Sequence, residues 1–204
     1  MSAVPKNEDK FYTIEEYLAL EDKAEHQSEY YNGIVWAMSG GSLNHSAISS
    51  NANYALQSAL RSENNKCRVF SSDLKIKVAK SNAIFYPDGM VICGKPEYGE
   101  NRTDMVKNPI LIIEVLSPST ENFDRGKKFQ KYRTIPSFKE YVLISQKQAK
   151  AEVWYKEDVD LWRISHAYGL EGVVKLRSID CEVSLADIYY MIDDLEDAQM
   201  EFDF

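Results

Sequence analysis

The stretch "NPILIIEVLSPST", residues 108 to 120, sets one carboxylate inside an otherwise unbroken apolar run. Ile110, Leu111, Ile112, Ile113, Val115 and Leu116 surround Glu114. Apolar residues at both alternate positions read as a strand buried on both faces. Pro109 before it and Ser117-Pro118 after it mark the ends. An ionised carboxylate in such a strand costs on the order of several kcal/mol unless something pairs with it. The partner would be a metal ion, a lysine or a proton.

The elements on either side of this strand predict the fold class. Downstream, Asp124 to Arg133 reads as a helix stopped before Pro136, and "EYVLIS" (140–145) as another strand. "AEVWYK" and "LWRISH" then read as a meander, "SLADIYYMI" as a late helix, and residues 193–204 as an acidic tail. Upstream lie the strands "CRVFSS", "LKIKV" and "GMVIC", with Lys75 and Lys77 on the outer face of the second. From Asn44 to Arg61, the stripe Ile48, Ala52, Ala55, Leu56, Ala59 and Leu60 predicts a long helix. "SGGS" (39–42) breaks the chain before it, and "GIVWAM" reads as a strand after an Asn32-Gly33 turn. "TIEE" at 13–16 is a capping box, with Ile14, Tyr17 and Leu18 on one helical face. The expectation is an α/β fold: a mixed central sheet flanked by helices, with an N-terminal hairpin and a C-terminal β meander. Its core, about residues 44–146, runs helix, three strands, helix, strand.

Bulk properties narrow the class. A chain of 204 residues predicts a single domain over 1–204, and 44% apolar with 12% aromatic content is globular. No apolar run approaches the roughly 20 residues of a membrane span. "MSAVPKNEDKFYT" is charged and lacks the apolar stretch of a signal peptide. Cys67, Cys93 and Cys181 are odd in number and scattered, so no disulfide framework or thiolate zinc site is expected, and a reducing cytoplasm is the natural compartment. A net charge of −8 argues against a protein that coats nucleic acid, though not against a local basic groove or a carboxylate metal site.

Asp88, in "FYPDGMVIC", opens the strand before the one that carries Glu114. Pro-Asp-Gly is a strong turn tripeptide, and a turn is the plain reading. The sharper one pairs Asp88 with Glu114. Neighbouring strands lie about 4.8 Å apart, so two carboxylates on a shared face would converge and repel, and a divalent cation would relieve them. In "DRGKKFQKYR", Asp124, Lys128 and Tyr132 share a face at i, i+4, i+8. The plain reading is a solvated basic helix with a weak ion pair. Because the helix follows the Glu114 strand directly, it must also pack back near it. Its cations Arg125, Lys127, Lys128, Lys131 and Arg133 are the best local candidates for contact with a nucleic-acid backbone. His45 begins the long helix, either as a polar helix-start residue or at the mouth of a site, touching phosphate. "GMVICGKP" imitates a phosphate loop in letters only, since it spans a strand and lacks the following Ser or Thr.

"YPDGMVIC", "PILIIEVLSPST" and "DRGKKFQKYRTIPSFKEYVLIS", with "EYYNGIVWAMSGGSLNHSAI" upstream, resemble the Uma-two family of bacterial restriction endonucleases. That family lies within the PD-(D/E)XK nuclease superfamily, whose core is helix, three strands, helix, strand. The resemblance covers about residues 11 to 190. It implies Asp88 and Glu114 as metal ligands, the Val115 carbonyl as a third, and Glu29 as a further acid near the site. It places Leu116 where the superfamily has its lysine, and implies that a lysine of the following helix substitutes, Lys128 first and Lys131 in reserve. The implied cofactor is Mg²⁺, with Mn²⁺ an alternative, and the implied partner is DNA, with a homodimer compatible with cutting two strands. The function expected is metal-dependent hydrolysis of DNA phosphodiester bonds. Leu116 and the net charge keep open a nuclease-like domain that only binds nucleic acid or a protein. A metal-dependent hydrolase of other phosphate esters is a third, weaker alternative.

Overall fold

The computed structural model describes residues 10–38, 40–62 and 66–197. The chain runs α1 (Ile14–Glu21), β1 (Ser28–Tyr31), β2 (Ile34–Ala37), α2 (Leu43–Ser62), β3 (Cys67–Ser71), β4 (Lys75–Val78), β5 (Ala83–Phe85), β6 (Gly89–Cys93), β7 (Tyr98–Gly99), β8 (Arg102–Val106) and β9 (Leu111–Leu116). A helix over 121–132 follows in three consecutive pieces: α3 (Glu121–Phe123), a π-helical segment (Asp124–Lys128) and α4 (Phe129–Tyr132). Then come β10 (Glu140–Ser145), β11 (Lys150–Lys156), β12 (Trp162–Tyr168), β13 (Val173–Leu176), β14 (Cys181–Ser184) and α5 (Leu185–Ile188).

The fold is the mixed α/β class expected. Its central sheet has the order β12-β11-β10-β9-β6-β3, with β9 and β10 parallel and the other pairs antiparallel. The strands β3, β6, β9 and β10, with α2 and the 121–132 helix, make the helix, three strands, helix, strand core. β11 and β12 extend that sheet, while β13 and β14 form a separate hairpin. The "LKIKV" strand leaves the core, because a second six-stranded sheet, β2-β1-β5-β4-β8-β7, takes it up.

This second sheet corrects the position of Lys75 and Lys77. Both are buried. Their neutralising partners come from a distant loop and strand that the local alternation does not show: Asp104 lies 2.6 Å from Lys75, and Glu100 lies 3.0 Å from Lys77. A second correction concerns the cysteines. Cys67 and Cys93 face each other in the β3–β6 register and are disulfide-bonded. A separation of 26 residues hides that pairing in the sequence, and the reducing compartment loses the support that unpaired thiols lent it. The late helix is also shorter than its pattern, ending at Ile188. The acidic tail begins by docking, with Glu196 bridging to Gln148, and residues 198–204 lie outside the described residues.

Local chemistry explains the frame. Thr13 and Glu16 close their capping box on α1. Asn32 and Gly33 both take positive φ, +46° and +93°, the backbone that a tight hairpin between β1 and β2 requires. Along β9 the two faces part. Leu111, Ile113 and Val115 pack with Ile48, Ala52 and Leu56 of α2. Ile112 and Leu116 pack with Ile76 and Phe85 of the second sheet and with Phe129 and Tyr132 of the 121–132 helix. Glu114 belongs to this second face by alternation, between two sheets and beneath a helix.

Candidate active site

Glu114 is 3% exposed, and its neighbours account for a charge at that depth. Lys128 reaches in from the π-helical segment and places Nζ 3.0 Å from Glu114 Oε1, 3.0 Å from Glu29 Oε1 and 3.6 Å from Asp124 Oδ1. The Tyr132 hydroxyl donates to Glu114 Oε1 at 3.1 Å. The face read from sequence at Asp124, Lys128 and Tyr132 is therefore the face turned toward Glu114. The wider π turn sits where that face meets the acids, a placement common at functional sites. Glu29 arrives from β1 of the second sheet and also accepts from the Tyr86 amide at 3.3 Å. The two sheets thus meet at one ammonium group.

Asp88 comes from the residue before β6. The β6–β9 register pairs Gly89 with Ile113, so one step further sets Asp88 beside Glu114. Its Oδ2 accepts the Val115 amide at 2.7 Å and lies 3.3 Å from His45 Nε2. Glu29, His45, Asp88, Glu114, Val115 and Lys128 all line one cavity of about 260 Å³. Its rim carries Trp36, Gly40, Gly41 and the hydroxyl residues Ser117, Ser119 and Thr120.

The electrostatics are those of too many acids in too little water. Burial pushes Glu114 well above the usual carboxylate range; Lys128 opposes this, and Asp124, Asp88 and Glu29 add to it. Glu29 and Asp124 are raised as well, again chiefly by burial. Burial pulls against the charge on Lys128, but Glu114, Glu29 and Asp124 outweigh it and hold the ammonium well above its ordinary value. Lys128 is thus a fixed cation and not a proton acceptor at neutral pH. The hydrogen bond to Asp88 raises His45, against the effect of its burial.

The other predicted cations lie elsewhere. Arg125 donates to both carboxylate oxygens of Glu152 at 2.8 Å and to Glu121 at 2.8 Å, so it is engaged away from the acids. Lys131 sits over the Tyr31 ring, 4.5 Å from its centroid, and Arg133 lies 3.8 Å from Asp160. Lys127 is exposed. Asp124 and Tyr132 contribute contacts that the residue-by-residue reading did not assign, although their shared spacing with Lys128 was the signal that could have found them.

The donor set suits Mg²⁺. Among the described residues, no three Asp, Glu, His or Cys side chains are grouped to hold an ion by themselves. Two carboxylates, Asp88 and Glu114, and the Val115 carbonyl are hard oxygen donors, and Mg²⁺ is usually held by one or two carboxylates with water and phosphate completing the shell. The Val115 amide donates to the Asp88 carboxylate at 2.7 Å, so the main chain of residue 115 and that carboxylate lie side by side. Four acids beside one lysine also leave an excess of negative charge that a divalent cation would relieve.

Comparison with known proteins shows the family of the chain and its fold. A family model, Uma2, described as "Putative restriction endonuclease", matches residues 14–186. Two Synechocystis proteins are similar: sll1609 at 37% identity over 160 residues, covering 78% of this chain and 89% of its own, and slr1290 at 34% over 175 residues, covering 86% and 90%. Both are described as uncharacterized. The crystal structure of a protein from Anabaena variabilis, described as "a putative nuclease belonging to DUF820", superposes with a TM-score of 0.68. At 20% identity, over 87% of this chain and 97% of the other, that likeness concerns the fold.

Proposed function

We propose that the chain, a member of the Uma2 family that gathers Asp88, Glu114, Glu29 and Lys128 in one cavity, is a metal-dependent endonuclease hydrolysing phosphodiester bonds in DNA. One observation carries the reading: the buried Lys128 ammonium lies between Glu114 and Glu29 and lines a cavity that Asp88 also lines. Leu116 fills the position where a lysine is expected, and Lys128 brings the same charge from the next helix.

Each residue then has a task. Asp88, Glu114 and the Val115 carbonyl would hold Mg²⁺ or Mn²⁺. The cation supplies, when bound, charge neutralisation at a phosphoryl oxygen and a more acidic attacking water. Lys128 keeps its proton, so it orients water and counters charge that builds on the phosphate, where a fixed charge in a low-dielectric site is most effective. Glu29 and Asp124 hold that ammonium in place. Tyr132 fixes the rotamer of Glu114, and the Val115 amide fixes that of Asp88. His45 lines the same cavity, where its ring would meet an incoming phosphate. A restriction-type family makes DNA the substrate to test first.

The test is nicking or linearisation of plasmid DNA with Mg²⁺ or Mn²⁺, beside Asp88→Ala and Glu114→Ala. Cleavage by the wild type and loss in both variants are expected. Identical behaviour of all three across metals and substrates would sink the catalytic reading. A gel shift without cleavage would point to a domain that only binds nucleic acid.

A further inference from the structure

The Asp88 carboxylate meets the Val115 amide and His45 on its cavity side. Its main chain is gripped by the same helix that carries His45, α2, one and two turns further along the same face. Asn53 Nδ2 donates to the Asp88 carbonyl at 2.9 Å and to the Ser49 carbonyl, one turn earlier in its own helix, also at 2.9 Å. Ser49 Oγ donates to the same Asp88 carbonyl at 3.3 Å. Both protons of the amide are used, and this fixes its orientation, since the flipped amide would set its oxygen against two carbonyl oxygens.

The remaining atom is the unusual one. Asn53 Oδ1 is buried and has no hydrogen-bond partner. It lies against Gly89, where an added Cβ would come within 2.4 Å of it, and the three atoms that Cβ would meet first all belong to Asn53. A buried acceptor left unpaired is costly, and native structures hold few of them. Here the unpaired oxygen is what the donation to Asp88 leaves over. Gly89 is the residue that lets the amide come this close.

We infer that Asn53, seconded by Ser49 and admitted by the missing side chain of Gly89, is a positioning residue for Asp88. It clamps the entry to β6 so that the Asp88 carboxylate is presented in one pose beside Glu114 and the Val115 carbonyl. The inference rests on the nuclease reading and names a part of that site that none of the acids reveals. Residues of this kind, which hold a ligand without touching the metal, typically change metal affinity or activity by about 10–100-fold when altered.

The experiment titrates Mg²⁺ and Mn²⁺ in the plasmid cleavage assay for wild type, Asn53→Ala, Gly89→Ala and the double variant, with thermal melts of each. For Asn53→Ala, the cation concentration at half-maximal rate should rise about tenfold and kcat should fall about 10–100-fold, with KM for DNA and Tm nearly unchanged. Gly89→Ala should do similar damage alone, through its clash with Asn53, and add nothing in the Asn53→Ala background. A structural role would lower Tm without moving the cation requirement, and that result overturns the inference. So do additive losses in the double variant, or an Asn53→Ala protein that cleaves like wild type; both leave the nuclease reading intact. If the wild type cleaves nothing with either metal, the nuclease reading falls and takes the clamp with it.

Discussion

Two charged clusters in this molecule use the same residue types to opposite effect. Around Lys128, one ammonium faces Glu114, Glu29 and Asp124 in near-complete burial, and all three acids are pushed upward. Around Arg102, on the second sheet, the acids are half open to water. Arg102 bridges Asp22 at 2.6 Å and Asp104 at 2.8 Å, and Lys75 meets Asp104 from the other side. There the Arg102 hydrogen bonds hold Asp104 well below its ordinary value, and Lys75 adds to the effect. In the second cluster cations and acids balance, and solvent shares the work. In the first, acids outnumber cations and little of any of them reaches solvent. Balanced pairing at a surface is a device for holding structure. A crowded, desolvated excess of one sign is the arrangement expected where a cation or phosphate is to be handled.

The largest effect should come from Lys128→Met. It leaves three buried acids without their counter-charge, and removing one partner of a buried network costs about 3–5 kcal/mol. Urea unfolding should show that loss, and cleavage should fall to background. Glu114→Gln should separate the two quantities. Cleavage should be lost as completely, yet the metal-free protein should be at least as stable as wild type, because one member of a repelling group becomes neutral. A large drop in stability for Glu114→Gln would mean that the cluster around Lys128 is balanced like the one around Arg102, and the contrast would collapse.

The fold was legible because its signals are local and periodic. The capping box at Thr13, the stripe of α2 and the unbroken apolar run of β9 each belong to one segment. What crosses segments was harder to see. Lys75 and Lys77 alternate like outward residues, and only Asp104 and Glu100, brought in by a second sheet, let them turn inward. Cys67 and Cys93 become neighbours through strand register alone. The candidate site shows the same division. Asp88 and Glu114 stood out as acids at a strand start and in an apolar run, and Lys128 as one member of a helical face. Of the five cations, the i, i+4, i+8 spacing with Asp124 and Tyr132 marked Lys128 as the one on a shared face, and that face is the one turned toward Glu114; the π-helical segment that carries it has no composition signal. Asn53 carried no signal at all, since its partner is a main-chain oxygen.

Tyr132→Phe probes the acid-rich cluster more gently. It removes one hydrogen bond to Glu114 and leaves the ring in place between Phe85 and Tyr141. A hydrogen bond to a charged group contributes about 1.5–3 kcal/mol. If Tyr132 chiefly orients Glu114, kcat should fall by about tenfold at the low end of that range, with KM for DNA unchanged. A variant with wild-type kcat would show that Lys128 alone is enough to hold Glu114.

The smallest effect belongs to the surface cluster and gives the contrast its pH dependence. Asp104→Asn should leave cleavage untouched and lower stability at neutral pH by about 1 kcal/mol, since its side chain is 38% exposed and water screens the pairing. The sign follows from the direction of the shift. A carboxyl held low in the folded state contributes stability above its unfolded pKa and loses it as pH falls through the folded one. The gap between wild type and Asp104→Asn should therefore be full at pH 7 and begin to close near the ordinary aspartate value of 3.8. Chemical denaturation at pH 7 and again near pH 3 measures it. A gap that widened toward acid would mean that Asp104 is raised, as the acids around Lys128 are, and that proximity to solvent is not what divides the two clusters.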